Sequence, residues 1–293
     1  MSDESTHLSQ HTDVPGPYTA AALQMNSTAN LEANLKQAAE LIHAAVKAGA
    51  QLVGLPEYFA FLGPEAELRR QAAEIESAGA QFLARQARLH GITLLGGAIR
   101  RPEDALSFAN DGRVYNCARL FGPNGTELAR YDKIHLFDVD IPDGVRYRES
   151  DYTIPGENHA GVSHSSKDFG VLGLSICYDL RFPELYRELS GQHGADVIFA
   201  PAAFTAYTGA AHWELLLRAR ALENACYLIA PAQTGTHYGK RASYGHAMIV
   251  DPWGEALADA GEGVGFALAK IEPDRIRDIR ARLPALTHRR LKL

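Results

Sequence analysis

Ala48-Gly49-Ala50-Gln51-Leu52-Val53-Gly54-Leu55-Pro56-Glu57-Tyr58-Phe59 lines up with His193-Gly194-Ala195-Asp196-Val197-Ile198-Phe199-Ala200-Pro201-Ala202-Ala203-Phe204. Both read as a helix end, a Gly-Ala turn, a short apolar strand, a proline and a closing phenylalanine. A unit repeated in this way predicts an internally pseudo-symmetric α/β fold, such as two sheets flanked by helices. The first copy carries Glu57 where the second carries Ala202. The shared framework therefore does not require a carboxylate there, which singles out Glu57 as a functional candidate.

Outward from this pair, helix and strand alternate from about Tyr18 to about Ile271. Asn26-Ser27-Thr28 offer helix caps. Leu31, Leu35, Ala38, Leu41, Ile42 and Val46 then recur at helical spacing. A second helical region covers Pro64 to His90, with Gly79 inside it as a candidate break into two helices. Ile92 to Ile99, Val114 to Phe121 and Glu127 to Tyr131 read as strands, the last two joined by Gly122-Pro123-Asn124-Gly125. The pattern continues with a strand (Val171 to Ile176), a helix (Pro183 to Gly191), a strand (Asp196 to Ala200) and a longer helix (Ala211 to Asn224). Cys226 to Ala232, Ala247 to Asp251 and Phe266 to Ile271 are further strands, with a turn at Asp251-Pro252-Trp253-Gly254. The basic segment Pro273 to Leu293 begins as a helix. No linker rich in Gly, Pro or Ser divides residues 18–293, so they read as one domain. Met1 to Pro17 is polar and reads as a disordered extension without a signal-peptide core.

Of the 293 residues, 46% are hydrophobic and 22% charged, an ordinary globular composition that can bury a large core. With 29 basic against 35 acidic residues and a net charge of -6, no basic field suggests a nucleic-acid partner. No apolar run has bilayer length, which argues against a membrane partner. The three cysteines, Cys117, Cys177 and Cys226, have no metal-ligand spacing. No metal site is expected, and free thiols fit a reducing, cytoplasmic compartment.

Gly173-Leu174-Ser175-Ile176-Cys177-Tyr178-Asp179-Leu180-Arg181-Phe182-Pro183-Glu184 puts a thiol where a strand gives way to a helix. Backbone N–H groups and the helix dipole at such a point are expected to lower the Cys177 pKa. A buried structural cysteine is the competing reading. Glu57 follows a buried strand and precedes Tyr58-Phe59-Ala60-Phe61-Leu62; apolar surroundings suit a carboxylate to acid–base work, against a solvated loop glutamate. Lys133 precedes Ile134-His135-Leu136-Phe137 and is hard to place on a solvated face, although a buried stem with a snorkelling head would also fit. In a site it supplies a fixed positive charge for a developing oxyanion. All three lie at or just past the carboxyl end of a strand, where ligands collect in α/β sheets. A thiol, a carboxylate and an ammonium together suit acyl transfer through a thioester. Cys117 and Cys226 read as buried small hydrophobes. His212 and Trp213 read as packing residues, with Glu214 a candidate brace for the lysine or its loop, and His246 lacks partners at metal spacing.

Leu55-Pro56-Glu57, Tyr131-Asp132-Lys133-Ile134-His135 and Ser175 to Glu184 resemble the Glu–Lys–Cys signature of the nitrilase superfamily, the carbon–nitrogen hydrolases, and the resemblance runs from Tyr18 to Leu291. His135-Leu136-Phe137-Asp138-Val139-Asp140-Ile141-Pro142, Tyr147-Arg148-Glu149-Ser150, Thr208 to Leu216 and Asp251 to Gly254 are similar to its Nit subgroup. Lys240-Arg241-Ala242-Ser243-Tyr244-Gly245-His246 is similar to deaminated glutathione amidases, while ω-amidases share most of the other motifs. A Cys177–His135 thiol protease is disfavoured because the flanking signatures belong to another enzyme class.

The resemblance implies a four-layer α-β-β-α sandwich and a cysteine-dependent amidase. Cys177 would be the nucleophile, Glu57 the general base and Lys133 the oxyanion partner. The backbone N–H of Tyr178 would be the second oxyanion donor. Glu149 matches a second glutamate that positions substrate or lysine, a surface glutamate beside Arg148 being the alternative. Arg181 matches an arginine that contacts a substrate carboxylate, the alternative being a structural pair with Glu184. Phe204 and Thr208 fall at substrate-contacting positions. Such chemistry needs no metal or organic cofactor. The implied substrate is a small-molecule amide: deaminated glutathione, cleaved to 2-oxoglutarate and cysteinylglycine. The alternatives are 2-oxoglutaramate, which releases ammonia, another amide or carbamoyl compound, or a non-catalytic scaffold on the same fold. Lys240 to His246 would hold the longer leaving group or form a basic surface loop. A homodimer or higher homo-oligomer is expected.

Overall fold

The computed structural model describes residues 15–102, 111–140, 146–158 and 161–291. Most of the expected N-terminal extension, residues 1–14, lies outside them, as do Ile141-Pro142 and residues 292–293 of the final segment.

The chain runs through β1 (Tyr18–Met25), α1 (Leu31–Lys47), β2 (Leu52–Leu55), α2 (Glu65–His90), β3 (Thr93–Arg100), β4 (Tyr115–Phe121) and β5 (Glu127–Asp132). An antiparallel pair follows, β6 (Asp138–Asp140) and β7 (Arg146–Arg148). Next come β8 (Val162–Ser166), β9 (Gly170–Leu174), α3 (Pro183–Gly191), β10 (Val197–Phe199), α4 (Ala206–Asn224), β11 (Tyr227–Ala230) and β12 (Ala232–Tyr238). β13 (Arg241–Tyr244), β14 (Met248–Val250), β15 (Ala256–Asp259), β16 (Gly265–Ile271) and α5 (Pro273–Arg282) follow.

One sheet has the order β13-β12-β1-β2-β3-β4-β5, with β16 antiparallel along β1; the other has the order β15-β14-β11-β10-β9-β8. The middle of each is parallel: β1, β2 and β3 in the first, β9, β10 and β11 in the second. Side chains alternate along a strand, so each sheet has two faces to cover. Ala20, Ala22 and Leu52 pack with Leu172, Leu174, Val197 and Phe199 between the sheets. Their neighbours Ala21, Leu23, Val53 and Leu55 turn the other way, onto Ala38 and Ile42 of α1 and Ala72 and Phe82 of α2. Leu185 and Leu189 of α3 and Trp213, Leu217 and Ala221 of α4 complete the packing of the second sheet. This is the expected four-layer sandwich, and β2 and β10, the two copies of the repeat, are central strands of its two sheets.

Three elements differ from expectation. α2 is unbroken at Gly79, because that residue is buried where a Cβ would meet Ala60 and Phe59 at ordinary contact distances, and packing holds the helix together. α4 starts at Ala206: Thr205 caps it, and Gly209 lies so close to Tyr244 that a Cβ would stand 2.3 Å from the tyrosine Cβ. Gly209 thus serves a close approach rather than a helix boundary. The expected strand Cys226 to Ala232 divides at Pro231, which has no N–H to continue a ladder; β11 stays in one sheet and β12 enters the other. The short strands β6, β7, β8, β13 and β15 were unsignalled, since stretches such as Val162-Ser163-His164-Ser165-Ser166 lack an apolar pattern. Among the described residues no helix is long and apolar enough to cross a membrane.

Candidate active site

Glu57 follows β2, Lys133 follows β5, Cys177 follows β9, and Glu149 opens a single 3-10 turn after β7. Packing the two sheets brings these four chain segments together. Lys133 Nζ lies 3.0 Å from Glu57 Oε1, and 3.0 and 2.8 Å from the two oxygens of Glu149. All three side chains are buried. Asn116 Nδ2 donates to both carboxylates, at 2.7 Å to Glu57 and 3.0 Å to Glu149. The Ala203 N–H donates to Glu57 Oε2 at 2.7 Å, and the Phe137 N–H donates to Glu149 Oε2 at 2.7 Å. Tyr58 OH donates to Glu149 Oε1 at 3.2 Å.

Glu57 therefore does not sit in the apolar setting expected from Tyr58 to Leu62. Its oxygens accept from an ammonium, a side-chain amide and a main-chain amide, groups that arrive from the residue after β5, from β4 and from the segment after β10. Gly97 of β3 permits this approach: a Cβ there would stand 2.4 Å from the Glu57 Cα. Burial disfavours charge on Lys133, but Glu149 and Glu57 outweigh it and hold its pKa well above the usual lysine range. Burial likewise works against a charged Glu149, yet Lys133 and hydrogen bonds from Lys133, Asn116 and Phe137 hold its pKa below the usual carboxylate value.

Cys177 reverses a second expectation. Its thiol is pushed well above the usual range, first by burial, then by the Glu57 charge, against which Lys133 pulls less strongly. Nor does a helix dipole act directly. Cys177 opens a 3-10 turn, has φ 46°, and spends its own N–H on Pro201 O at 3.0 Å. The next N–H, that of Tyr178, has no backbone acceptor among the described residues, as is usual at the start of a helical turn. The site thus favours a neutral thiol on the same pocket wall as the Glu57 carboxylate.

Asp179 fixes the turn to the lysine segment. Its buried carboxylate accepts from Ile176 N–H (2.9 Å) and Tyr131 OH (2.8 Å) and lies 2.7 Å from His135 Nδ1. Tyr131 and His135 flank Lys133 by two residues on either side, so one carboxylate ties the Lys133 segment to the Cys177 turn.

A small pocket opens here. Glu57, Lys133, Glu149, Cys177, Tyr178, Phe204 and Thr208 line it. Arg181 stands outside the lining. Its guanidinium lies over the rings of Phe204 (5.2 Å) and Tyr178 (5.9 Å), with Nη2 3.3 Å from His212 Nδ1. Glu214 pairs instead with Arg218 on the exposed face of α4. Trp213 is buried, as expected, and donates to His246 O. Cys117 and Cys226 are buried, which pushes both thiols up, Cys226 to about 12. Sequence reasoning missed Asn116 and Tyr58, and named Arg241 only as part of the Lys240 to His246 run. A polar Asn116 inside the apolar run Val114 to Phe121 was the available signal for the first.

The carbon–nitrogen hydrolase family model matches residues 19–281. The chain belongs to the carbon–nitrogen hydrolase family. As a carbon–nitrogen hydrolase it is an enzyme acting on C–N bonds other than peptide bonds. It is 57% identical over 273 residues, 93% of this chain and 98% of the relative, to a deaminated glutathione amidase of Synechocystis. Saccharomyces cerevisiae Nit3, a nitrilase-superfamily member, superposes with a TM-score of 0.80 at 30% identity, covering 94% of this chain and 97% of that one. A glutamate-to-glutamine mutant of an amidase from Nesterenkonia superposes with a TM-score of 0.75 at 26% identity, covering 91% of this chain and 95% of the other. In that structure the acetamide moiety of fluoroacetamide is attached covalently to the active-site cysteine.

Proposed function

We propose that the protein is an amidase in which Cys177, Glu57 and Lys133 carry the reaction, and that its substrate is deaminated glutathione. The observation that carries this reading is the buried Glu57 carboxylate 3.0 Å from Lys133 Nζ, with Glu57, Lys133 and Cys177 lining one pocket.

Glu57 takes the Cys177 proton as sulfur attacks the amide carbonyl. The carbonyl π pair moves onto oxygen, where Lys133 and the Tyr178 N–H stabilise it, each such donor contributing about 3 kcal/mol. The intermediate collapses, the C–N bond breaks, and Glu57 returns its proton to the departing amine, leaving a thioester. Water then repeats the sequence. Glu57 takes its proton, hydroxide adds to the thioester, the C–S bond breaks and the thiol regains its proton. Glu149 and Asn116 hold Lys133 and Glu57 in place throughout. Phe204 and Thr208 contact the substrate, and Arg181, over the Phe204 ring, receives the carboxylate of the acyl half.

The substrate reading is supported by the 57% identity to a deaminated glutathione amidase over nearly all of both chains. A cytoplasmic location and assembly into a homodimer or larger homo-oligomer belong to the same proposal. Exposed Tyr207, Leu215 and Leu222 on α4, with Trp253, favour the latter.

The test is a steady-state comparison on deaminated glutathione and 2-oxoglutaramate, with Cys177→Ala as blank. A large kcat/KM preference for deaminated glutathione is expected. Preference for 2-oxoglutaramate moves the protein to ω-amidase, and activity on neither removes both substrates.

A further inference from the structure

Arg241 of β13 lines the pocket beside Glu57 and Tyr58. It belongs to the Lys240 to His246 run, yet it is not a loop residue on the surface. Nη1 donates to Glu65 Oε1 (3.2 Å) and Tyr238 OH (2.6 Å), and Nη2 donates to Tyr152 OH at 3.3 Å. The guanidinium stands 5.4 Å from the Tyr147 ring centroid and 5.7 Å from that of Tyr238. Nε has no acceptor among the described residues. The Glu65 end of the ion pair is half-exposed, where water weakens such pairing.

The pocket does not end at Arg241. A second, very small space shares Tyr58, Tyr152 and Arg241 with the first, and Phe61, Leu62 and Leu68 also line it. The two spaces therefore meet at an arginine. Which half of a substrate reaches it follows from the chemistry. The proton for the departing nitrogen comes from Glu57, so the departing amine leaves on the Glu57 side. Tyr58, the next residue, borders both cavities. An amine as small as ammonia does not extend to Arg241, whereas an extended one ending in a carboxylate does, and there it meets a guanidinium, a charged donor suited to that group.

We infer that Arg241 is a specificity-determining residue that binds a carboxylate on the departing amine of the substrate. This rests on the amidase reading given above. It names the substrate class as amides whose leaving group is an extended, carboxylate-bearing amine.

The experiment measures kcat and KM for wild type, Arg241→Met and Arg241→Lys on three amides: deaminated glutathione, its analogue with the cysteinylglycine carboxylate capped as an amide, and 2-oxoglutaramate. Arg241→Met is expected to lose about 10- to 100-fold in kcat/KM on deaminated glutathione, the worth of one charge-assisted hydrogen-bonded contact. The loss should lie mainly in KM, with 2-oxoglutaramate turnover nearly unchanged. Capping should cost wild type a similar factor and cost Arg241→Met nothing, with Arg241→Lys falling between. Equal losses on deaminated glutathione and 2-oxoglutaramate overturn the assignment and make Arg241 a scaffold residue, while the amidase reading stands. Should the variants fail to fold, wild type decides alone: capping without effect on kcat/KM overturns the assignment. Wild type inactive on all three overturns the substrate reading and the Arg241 role together.

Discussion

The main-chain N–H of Ala203 donates a 2.7 Å hydrogen bond to the side chain of Glu57. Ala203 follows β10 and Glu57 follows β2, so this bond joins the two copies of the internal repeat across the sandwich. Ala202, the counterpart of Glu57 in the second copy, has no acid, but the residue beside it supplies a donor. The pseudo-symmetry thus becomes asymmetric at the site. One copy presents the carboxylate and the other presents the amide that aims it.

Replacing Glu57 by glutamine keeps the shape and removes the proposed proton acceptor. It also turns an NH2 group toward donors on Ala203, Asn116 and Lys133, whichever way the amide faces. The kcat on an amide substrate should fall by about 10²- to 10⁴-fold. Unfolding free energy should drop by about 1–3 kcal/mol, since a donor then lacks its acceptor. Stopped assays and denaturant titration check both; retained turnover would remove Glu57 from the proton relay.

Asp179→Asn addresses the tie between the Cys177 turn and the Lys133 segment. One oxygen replaces two, so Ile176 N–H and Tyr131 OH on one side, or His135 Nδ1 on the other, loses its acceptor. The expected cost is about 2–4 kcal/mol of stability, typical of breaking a buried polar network. A lower kcat should accompany it, because the thiol and the ammonium are no longer held in register. A variant with wild-type denaturation midpoint and kcat would show that Asp179 holds nothing.

Gly97→Ala adds one methyl group where a Cβ stands 2.4 Å from Glu57 Cα and 2.7 Å from Pro56 O. Both neighbours are backbone and cannot swing aside. Overpacking of this kind costs about 1–3 kcal/mol, and here the displaced atom belongs to Glu57, the proposed general base. Activity should therefore fall further than stability alone explains. Thermal melting beside kcat separates the two effects, and equal, small changes would contradict the packing argument.

His237 supplies a pH dependence. It is buried, with Nδ1 2.8 Å from Ser27 O and Nε2 2.9 Å from Ser243 Oγ. A carbonyl accepts only, so Nδ1 carries the hydrogen of the neutral ring. Burial lowers its pKa from 6.5 to about 4. The unfolded chain therefore binds a proton more tightly than the folded one, and stability present above pH 6.5 is lost as pH falls toward 4. At roughly 1.4 kcal/mol per pH unit, the slope over that window amounts to about 3 kcal/mol at most. His237→Gln should flatten this limb of the stability–pH curve, as followed by denaturation between pH 4 and 7. An unchanged slope would mean that other groups cause it.

The sequence by itself determined the order of the reactive groups and their frame. Glu57 and Cys177 each follow an apolar run that reads as a strand, Lys133 follows the strand Glu127 to Tyr131 and precedes an apolar stretch, and β2 and β10 stand where the repeat put them. These are local features, carried by periodicity, proline, glycine and strand ends over a dozen residues. Tertiary structure decided the surroundings. Asn116 reaches Glu57 from 59 positions along the chain and Ala203 from 146; their arrival replaces an expected apolar setting with a cage of donors. The raised Cys177 thiol, the placement of Arg181 over Phe204 and the entry of Arg241 into the pocket have the same origin. Burial and the summed field of neighbouring charges exist only once the two sheets pack, because they depend on distances between segments that the chain order does not encode locally.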